Sequence, residues 1–362
     1  MKRKMILTIL ALLLVVAAWM GRIVWVAAGQ QPRGLRLERC ERSPQWRDGQ
    51  FVNRHDTPMM TGESGLWQNL YNYFFYKVEN LVPGHDVPTA KSSLKDLKPT
   101  DEVVVWLGHS SLFVQTGGKR LLFDPVLTTR LPVRLFMKPF RGADVYTPDD
   151  IPDIDYLVIT HDHWDHLDYE TVRELRPRVR NVVCALGIGQ HFEYWGYDTS
   201  HIYDLDWGDS LSLAGGMTLR CLPARHFSGR LLGRNKTLWA SYLIDGPRRI
   251  FVSGDGGYDD RFRDIGTRYP GIDLAVMENG QYNPNWRLIH TMPSELPKAV
   301  SDLGARRLLT YHNSKYALAK HSWTAPLDSI LHNSKGQPWT LLTPRIGERI
   351  DLTQQQTFHK WW

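Results

Sequence analysis

The segment Thr160–Asp168, THDHWDHLD, constrains this chain more than any other. It follows the apolar run Tyr156–Ile159 and precedes the helix-like stretch Tyr169–Leu175. A strand is therefore expected to end in a loop that gathers His161, His163, His166 and their neighbouring aspartates around one point. Neutral imidazole and carboxylate are the groups that Zn²⁺ accepts at about 2.0–2.2 Å. Three histidines in six residues are rarely a packing accident.

Other candidates share a position: each stands at the end of a β-like run. His226 follows Thr218–Leu222 through Pro223-Ala224-Arg225, and Asp255 follows Arg249–Ser253 and opens a Gly-rich turn. His312 ends Leu308–Tyr311, and Asp124 ends Arg120–Phe123. Taken alone, His312 reads as readily as a core histidine, and Asp255 as a turn former. Ligands delivered from several strand ends converge on one rim of a layered scaffold, so the set is stronger than its members.

From residue 101 short β-rich runs recur: 103–107, 112–115, 120–123, 156–159, 181–184, 218–222, 239–244, 250–252 and 308–311. Turn signals at Thr116-Gly117-Gly118-Lys119 and Ala214-Gly215-Gly216 favour hairpins. Helical patterns intervene at Tyr169–Leu175, Asp259–Ile265 and Ser294–Leu303, which predicts α/β layers rather than an all-β barrel. Residues 30–100 read as irregular, apart from the aromatic stretch Leu66–Phe75, whose spacing suits an amphipathic helix.

The net charge of +6 suggests an anionic partner, but its location decides which one. Residues 1–42 hold eight Lys or Arg against Glu38 and Glu41, which accounts for the whole excess and leaves the downstream body neutral. A nucleic-acid enzyme would carry basic surface on its body, so no nucleic-acid partner is expected. The excess flanks the apolar segment Met5–Met20, interrupted only by Thr8 and preceded by Lys2-Arg3-Lys4. About 20 residues span a bilayer, with Arg22 placed to snorkel. An uncleaved transmembrane anchor is expected; a signal peptide cut near Val26-Ala27-Ala28 is the rival reading. Lys2–Lys4 favour export of the body, whereas five arginines within about 20 residues downstream pull the other way. Cys184 and Cys221 lie in apolar runs and read as small buried hydrophobes; with Cys40 they do not make a disulfide framework.

THDHWDH matches the HxHxDH signature of the metallo-β-lactamase superfamily. Within it the chain resembles the N-acylphosphatidylethanolamine-hydrolysing phospholipase D group and its bacterial relatives. The likeness includes WLGHSS (106–111), LLFDP (121–125), HDHWDHLDY (161–169), LDW (205–207), PARH (223–226) and LWASY (238–242). It continues through FVSGDGGY (251–258), YNPNW (282–286), His290 and YHNSKYALA (311–319).

The resemblance implies a four-layer αββα sandwich of α/β class over residues 101–350, an extension at 30–100 packed on it, and an anchor at 1–29. It implies two Zn²⁺, the first held by His161, His163 and His226, the second by Asp165, His166 and His312, with Asp255 bridging. Iron or manganese could occupy one site, since such ligands accept them. Asp124 resembles a carboxylate that orients a ligand histidine, His109 stands behind the ligands, and His290 resembles a histidine near the substrate. A water activated by the metals would cleave a membrane phospholipid to phosphatidic acid and N-acylethanolamine, with Asp165 or Asp255 relaying its proton and His290 donating to substrate. The chain would sit in a bacterial inner membrane with its body in the periplasm. Two departures bear on substrate: Gly256 stands where the lipid enzymes commonly have Thr, and Met277–Gln281 (MENGQ) differs from their usual sequence. A lactonase or other esterase acting on a soluble substrate shares the metal site, and a non-catalytic zinc protein is a further alternative. Structural zinc sites, however, are closed, four-coordinate and often rich in Cys.

Overall fold

The structure is a computed structural model that describes residues 2–62, 71, 75–128, 130, 132–231 and 233–362. Most of the aromatic stretch Leu66–Phe75 lies outside the described residues. Two seven-stranded sheets form the body. The first contains β1 (Val103–Gly108), β2 (Ser111–Thr116), β3 (Lys119–Phe123), β4 (Ile154–Ile159), β5 (Val179–Ala185) and β6 (Ile202–Leu205). The second contains β7 (Ser210–Ser212), β8 (Thr218–Pro223), β9 (Ala240–Asp245), β10 (Ile250–Val252), β11 (Leu274–Glu278), β12 (Arg307–Tyr311) and β13 (Thr340–Leu342). The chain then returns to the first sheet as β14 (Arg349–Asp351), which pairs antiparallel with β1.

The strand orders are β14-β1-β2-β3-β4-β5-β6 and β13-β12-β11-β10-β9-β8-β7. In each sheet an antiparallel half gives way to a parallel half, at β3/β4 in the first and β10/β11 in the second. The Gly117-Gly118 hairpin between β2 and β3 takes φ of 56° and 70°, the left-handed pair that a two-residue turn needs to match strand twist.

Side-chain alternation assembles the layers. Cys221, Tyr242, Val252, Val276, Leu309 and Tyr311 join one core with Val105, Phe113, Leu122 and Val158 of the first sheet. Their neighbours Leu222, Leu243, Phe251, Ala275, Met277 and Leu308 point the other way, onto a second core. That second core receives Phe262 and Ile265 of one helix (Arg261–Arg268), Leu296, Val300 and Leu303 of another (Leu296–Leu303), and Ile330 of a third (Ala325–Asn333). Val172, Leu175, Ile188 and Phe192, carried by helices Tyr169–Leu175 and Gly189–Tyr194 or just before the latter, pack with the first sheet. Helices thus cover both outer faces of a sheet pair, which is the expected αββα arrangement. All three cysteines are free and buried.

Two features differ from the sequence reading. The extension is not wholly irregular: a helix, Leu35–Arg42, and a hairpin pairing Trp46–Arg47 with Gln50–Phe51 lie within it. That helix carries five charged residues out of eight and is fixed by ion pairs from Arg36 to Asp204 and Glu193, a tertiary tether that no local pattern announces. Strand β14 crosses residue 350, where the catalytic domain was expected to end, and Phe358, Trp361 and Trp362 beyond it pack on the first core.

At the N-terminus a 27-residue helix, α1 (Lys2–Ala28), is long and apolar enough to cross a membrane, and its apolar stretch stands free of the body. At 1.5 Å per residue it extends roughly 40 Å, against a hydrocarbon core of about 30 Å.

Candidate metal centre

Apart from His290, in the loop before helix Leu296–Leu303, every candidate residue sits where a strand of the inner sheets runs out at one rim. His109 follows β1, Asp124 follows β3, and His161, His163, Asp165 and His166 follow β4. From the second sheet His226 follows β8, Asp255 follows β10, Glu278 ends β11 and His312 follows β12. The chain turns sharply at these points: His109, Asp124 and His312 have φ of 49°, 42° and 67°. Such left-handed conformations cost a non-glycine residue about 1–2 kcal/mol and collect at functional sites. Gly254 (φ 59°) permits the approach of Asp255, because a Cβ there would lie 2.6 Å from the Ala240 carbonyl and 3.2 Å from Thr160.

The ligand atoms form two groups. His161 Nε2 lies 2.9 Å from His163 Nδ1, and His226 Nε2 lies 3.3 Å from the same atom. In the other group His312 Nε2 lies 3.3 Å and His166 Nε2 3.9 Å from Asp165 Oδ2. Asp255 joins them: its Oδ2 is 3.1 Å from His312 Nε2, 3.3 Å from His166 Nε2, 3.8 Å from His226 Nε2 and 3.9 Å from His161 Nε2. All seven expected residues therefore lie together, Asp255 within 3.9 Å of nitrogens from both groups, and His109, Glu278 and His290 stand among them.

Hydrogen bonds set the tautomers. His166 Nδ1 donates to Asp124 Oδ2 at 2.8 Å and His226 Nδ1 to the Ile289 carbonyl at 2.8 Å. His161 Nδ1 donates to Thr160 Oγ1 at 3.0 Å, and that hydroxyl donates to Asp124 Oδ2 at 2.6 Å. Each of these three rings consequently has Nδ1 engaged outside the site and Nε2 left to face it. His109 Nε2 contacts Asp165 Oδ2 at 3.0 Å, while its carbonyl accepts from the His312 amide at 2.9 Å and from Trp106 Nε1 at 2.8 Å. It braces one member of the second group from its side chain and another from its backbone.

The polar atoms left over test whether metal ions fit. His166 Nε2 and Asp255 Oδ1 are buried without a hydrogen-bond partner, a costly arrangement unless something else coordinates them. Burial opposes charge on every group here. The imidazoles of His161, His163 and His226 are accordingly lowered. Against the same burial, Asp255 and Asp165 carry His312 up to about 10 and raise His166. His166 and His312 in turn hold Asp255 well below the usual carboxylate range, and His166 with His109 does so for Asp165. The site thus places buried negative charge beside lone pairs and calls for cations. The residues fit a pair of divalent ions.

Residues 119–313 match the family described as the beta-lactamase superfamily domain. The chain belongs to the metallo-β-lactamase superfamily. Its relatives there include the "Uncharacterized protein Rv0906" of Mycobacterium tuberculosis, 35% identical over 334 residues, covering 89% of this chain and 88% of that one. The N-acyl-phosphatidylethanolamine-hydrolyzing phospholipase D 1 of Caenorhabditis elegans is 32% identical over 232 residues, covering 59% and 64%. Among solved structures, Igni18, a metallo hydrolase from Ignicoccus hospitalis, superposes with a TM-score of 0.52 at 18% identity, covering 68% of this chain and 97% of that one. Within the superfamily, then, this is a metal-dependent hydrolase resembling the N-acylphosphatidylethanolamine-hydrolysing enzymes.

A cleft of about 260 Å³ opens beside both groups of ligands. His163, Asp165, His226, Asp255 and His312 form its floor; Met59, Met60, Phe227, Trp286, Ile289 and Leu318 give it an apolar wall. His290 also lines it, with Nδ1 2.8 Å from Glu278 Oε2. That carboxylate also lies 3.9 Å from His312 Nδ1, and the His290 ring stacks on His312 with centroids 5.6 Å apart. Glu278, buried at the end of β11, also accepts from the amides of Gly256 (3.0 Å) and Thr291 (2.7 Å). Both departures noted in the sequence, Gly256 and the MENGQ stretch, therefore meet at one carboxylate. Sequence reading missed Glu278 and Thr160 as supports; the signal for Glu278 was its place in that divergent stretch, and for Thr160 its adjacency to His161.

Proposed function

We propose that this chain is a binuclear zinc phosphodiesterase of the phospholipase D type, acting on N-acylphosphatidylethanolamine-like lipids. The apolar wall of Met59, Met60, Phe227, Trp286, Ile289 and Leu318 facing the ligand groups carries this reading: it suits an acylated substrate with a charged phosphodiester. The Caenorhabditis elegans relative, named for that activity, supports it. So does an apolar helix that would keep the enzyme at the bilayer, which we place in a bacterial inner membrane with the body on the exported side.

Zinc bound by His161, His163 and His226, by Asp165, His166 and His312, and by Asp255 between them would make water nucleophilic at neutral pH and offset charge on the phosphoryl group. The residues do the rest. Asp165 and Asp255 present carboxylates to the attacking water and accept its proton. The water oxygen bonds to phosphorus, the P–O bond to the N-acylethanolamine breaks, and the departing oxygen takes a proton. His290, fixed through Nδ1 by Glu278, presents Nε2 to the cleft to supply that proton. Phosphatidic acid and N-acylethanolamine result.

The test is hydrolysis of a lipid panel by the zinc-loaded full chain, with His163→Ala as control. Release of phosphatidic acid and N-acylethanolamine is expected; release of fatty acid instead would overturn the phospholipase D reading. The proton donor has its own test. His290→Gln should lower kcat by about 10²–10³-fold on alkyl phosphodiesters, in the range seen for general acids. On p-nitrophenyl phosphodiesters, whose leaving group needs no proton, the loss should be under about tenfold. Equal losses on both would assign His290 to substrate binding alone.

A further inference from the structure

The junction between α1 and the body contains an arrangement that a simple tether does not need. The last two residues of α1 are buried: Ala27 is 0% and Ala28 9% exposed. A helix C-terminus leaves its final carbonyls without intrahelical partners, and here the body supplies them. Trp195 Nε1 donates to the Val26 carbonyl at 2.8 Å. Arg230, itself buried, donates from Nη2 to the Ala27 carbonyl at 2.6 Å and from Nε to the Ala28 carbonyl at 3.1 Å. Gly29 follows at φ 75°, where a Cβ would fall 2.2 Å from His191 Nδ1, and the Gln30 amide then donates to that nitrogen at 3.0 Å.

The other side of the same groups holds the metal loop. Arg230 Nη1 donates to the carbonyls of Asp162 (2.9 Å) and Leu167 (2.7 Å), which bracket His163, Asp165 and His166. Its guanidinium lies 3.8 Å over the Trp164 ring, inside that loop. His191, which receives the Gln30 amide on Nδ1, donates from Nε2 to Asp162 Oδ2 at 3.3 Å. Asp162 stands between the ligands His161 and His163, and its carboxylate also accepts from the Gly229 amide at 2.7 Å and Thr237 Oγ1 at 2.9 Å. Arg230 and His191 therefore each join the end of α1 to the loop that presents four of the seven ligands.

We propose that residues 26–30 are a structural part of the metal centre: the last turn of α1 stays on the mature protein and, through Arg230 and His191, holds the loop 161–167 in its ligand geometry. Arg230 acts as a positioning residue, since it touches neither metal nor substrate. The arrangement is incompatible with removal of a leader after Ala28, which would strip Arg230 of two of its four acceptors. It also fixes the body to the end of a helix long and apolar enough to cross a membrane, with its metal loop directly on that end. The inference rests on the metal reading of the site and not on the choice of lipid.

The test uses the full chain extracted from membranes and held in detergent. Intact mass should show α1 retained. Trp195→Phe removes the donor to Val26 and part of the ring that stacks on His191; Arg230→Met removes all the guanidinium's donations, to Ala27, Ala28, Asp162 and Leu167, while keeping an apolar stem on Trp164. In a zinc competition titration with a chelator, zinc affinity should fall about tenfold for Trp195→Phe and up to about 100-fold for Arg230→Met, in the range of outer supports of metal ligands. Hydrogen exchange should rise together in 26–30 and 161–167. A mature protein that begins at or after Gly29 with full zinc content would overturn the proposal. So would a Trp195→Phe protein with faster exchange at 26–30 and unchanged zinc affinity. Neither outcome depends on which lipid is cleaved, so failure here is separable from failure of the phospholipase reading.

Discussion

Asp255→Ala is expected to release zinc from both positions and lower kcat/KM by at least roughly 10³-fold, about 4 kcal/mol of transition-state stabilisation. The expectation follows from position. Asp255 Oδ2 stands 3.1–3.9 Å from four imidazole nitrogens, two in each ligand group. Without it, two cations would have to be held in a buried site with no anion between them, and Coulomb repulsion grows as the medium dries. Its side chain is 2% exposed, so water gives little help. Metal analysis should show fewer than one zinc per chain, and millimolar zinc should fail to restore activity because the bridging ligand itself is gone. The substitution also removes the charge that carries His312 up to about 10, so the metal-free variant should bind fewer protons near pH 7. Two zinc ions retained, with activity within tenfold of the wild type, would sink the bridged-site reading.

The centre was legible in the sequence because its chemistry is concentrated. Three histidines in one loop announce metal ligation without any knowledge of the fold, and His226, Asp255 and His312 each stand just after a recognisable β-run. What the sequence did not yield were elements whose local pattern is weak or whose reason is tertiary. Leu274–Glu278 (LAVME) is wholly buried and carries Leu, Ala and Met, which suit a helix equally well. Ser210–Ser212 and Thr340–Leu342 are three-residue strands, too short to show a period. The helix Gly189–Tyr194 starts on glycine; a Cβ there would strike Asp204 and Arg36, so packing imposes a residue that helix propensity disfavours. The support groups failed to show for a related reason. Arg230 and Asp162 matter through contacts 68 residues apart in sequence, and nothing near either announces the other.

Asp124→Asn should separate a support from a ligand. Asp124 touches no metal-binding atom, yet both its oxygens are committed: Oδ1 accepts the Thr160 amide at 2.8 Å, while Oδ2 accepts Thr160 Oγ1 at 2.6 Å and His166 Nδ1 at 2.8 Å. Through Thr160 it orients His161 of one ligand group, and directly it orients His166 of the other. An asparagine offers one oxygen and one NH₂. With its oxygen in the Oδ2 place, the NH₂ faces the Thr160 amide, donor against donor. Reversed, it confronts His166 Nδ1–H and frees that ring to rotate or change tautomer. Either choice buries an unpaired donor at about 1–3 kcal/mol, and the site is 0% exposed, so no water relieves it. Zinc affinity should fall about 10–100-fold, read by competition with a chelator, and both positions should weaken because both groups lose an orienting bond. Unlike Asp255→Ala, all seven ligands remain, so saturating zinc should return kcat to within about tenfold of the wild type. Loss from the His166 position alone would show that the Thr160 relay to His161 carries no weight; a failure of excess zinc to rescue would make Asp124 part of the reacting centre rather than its support.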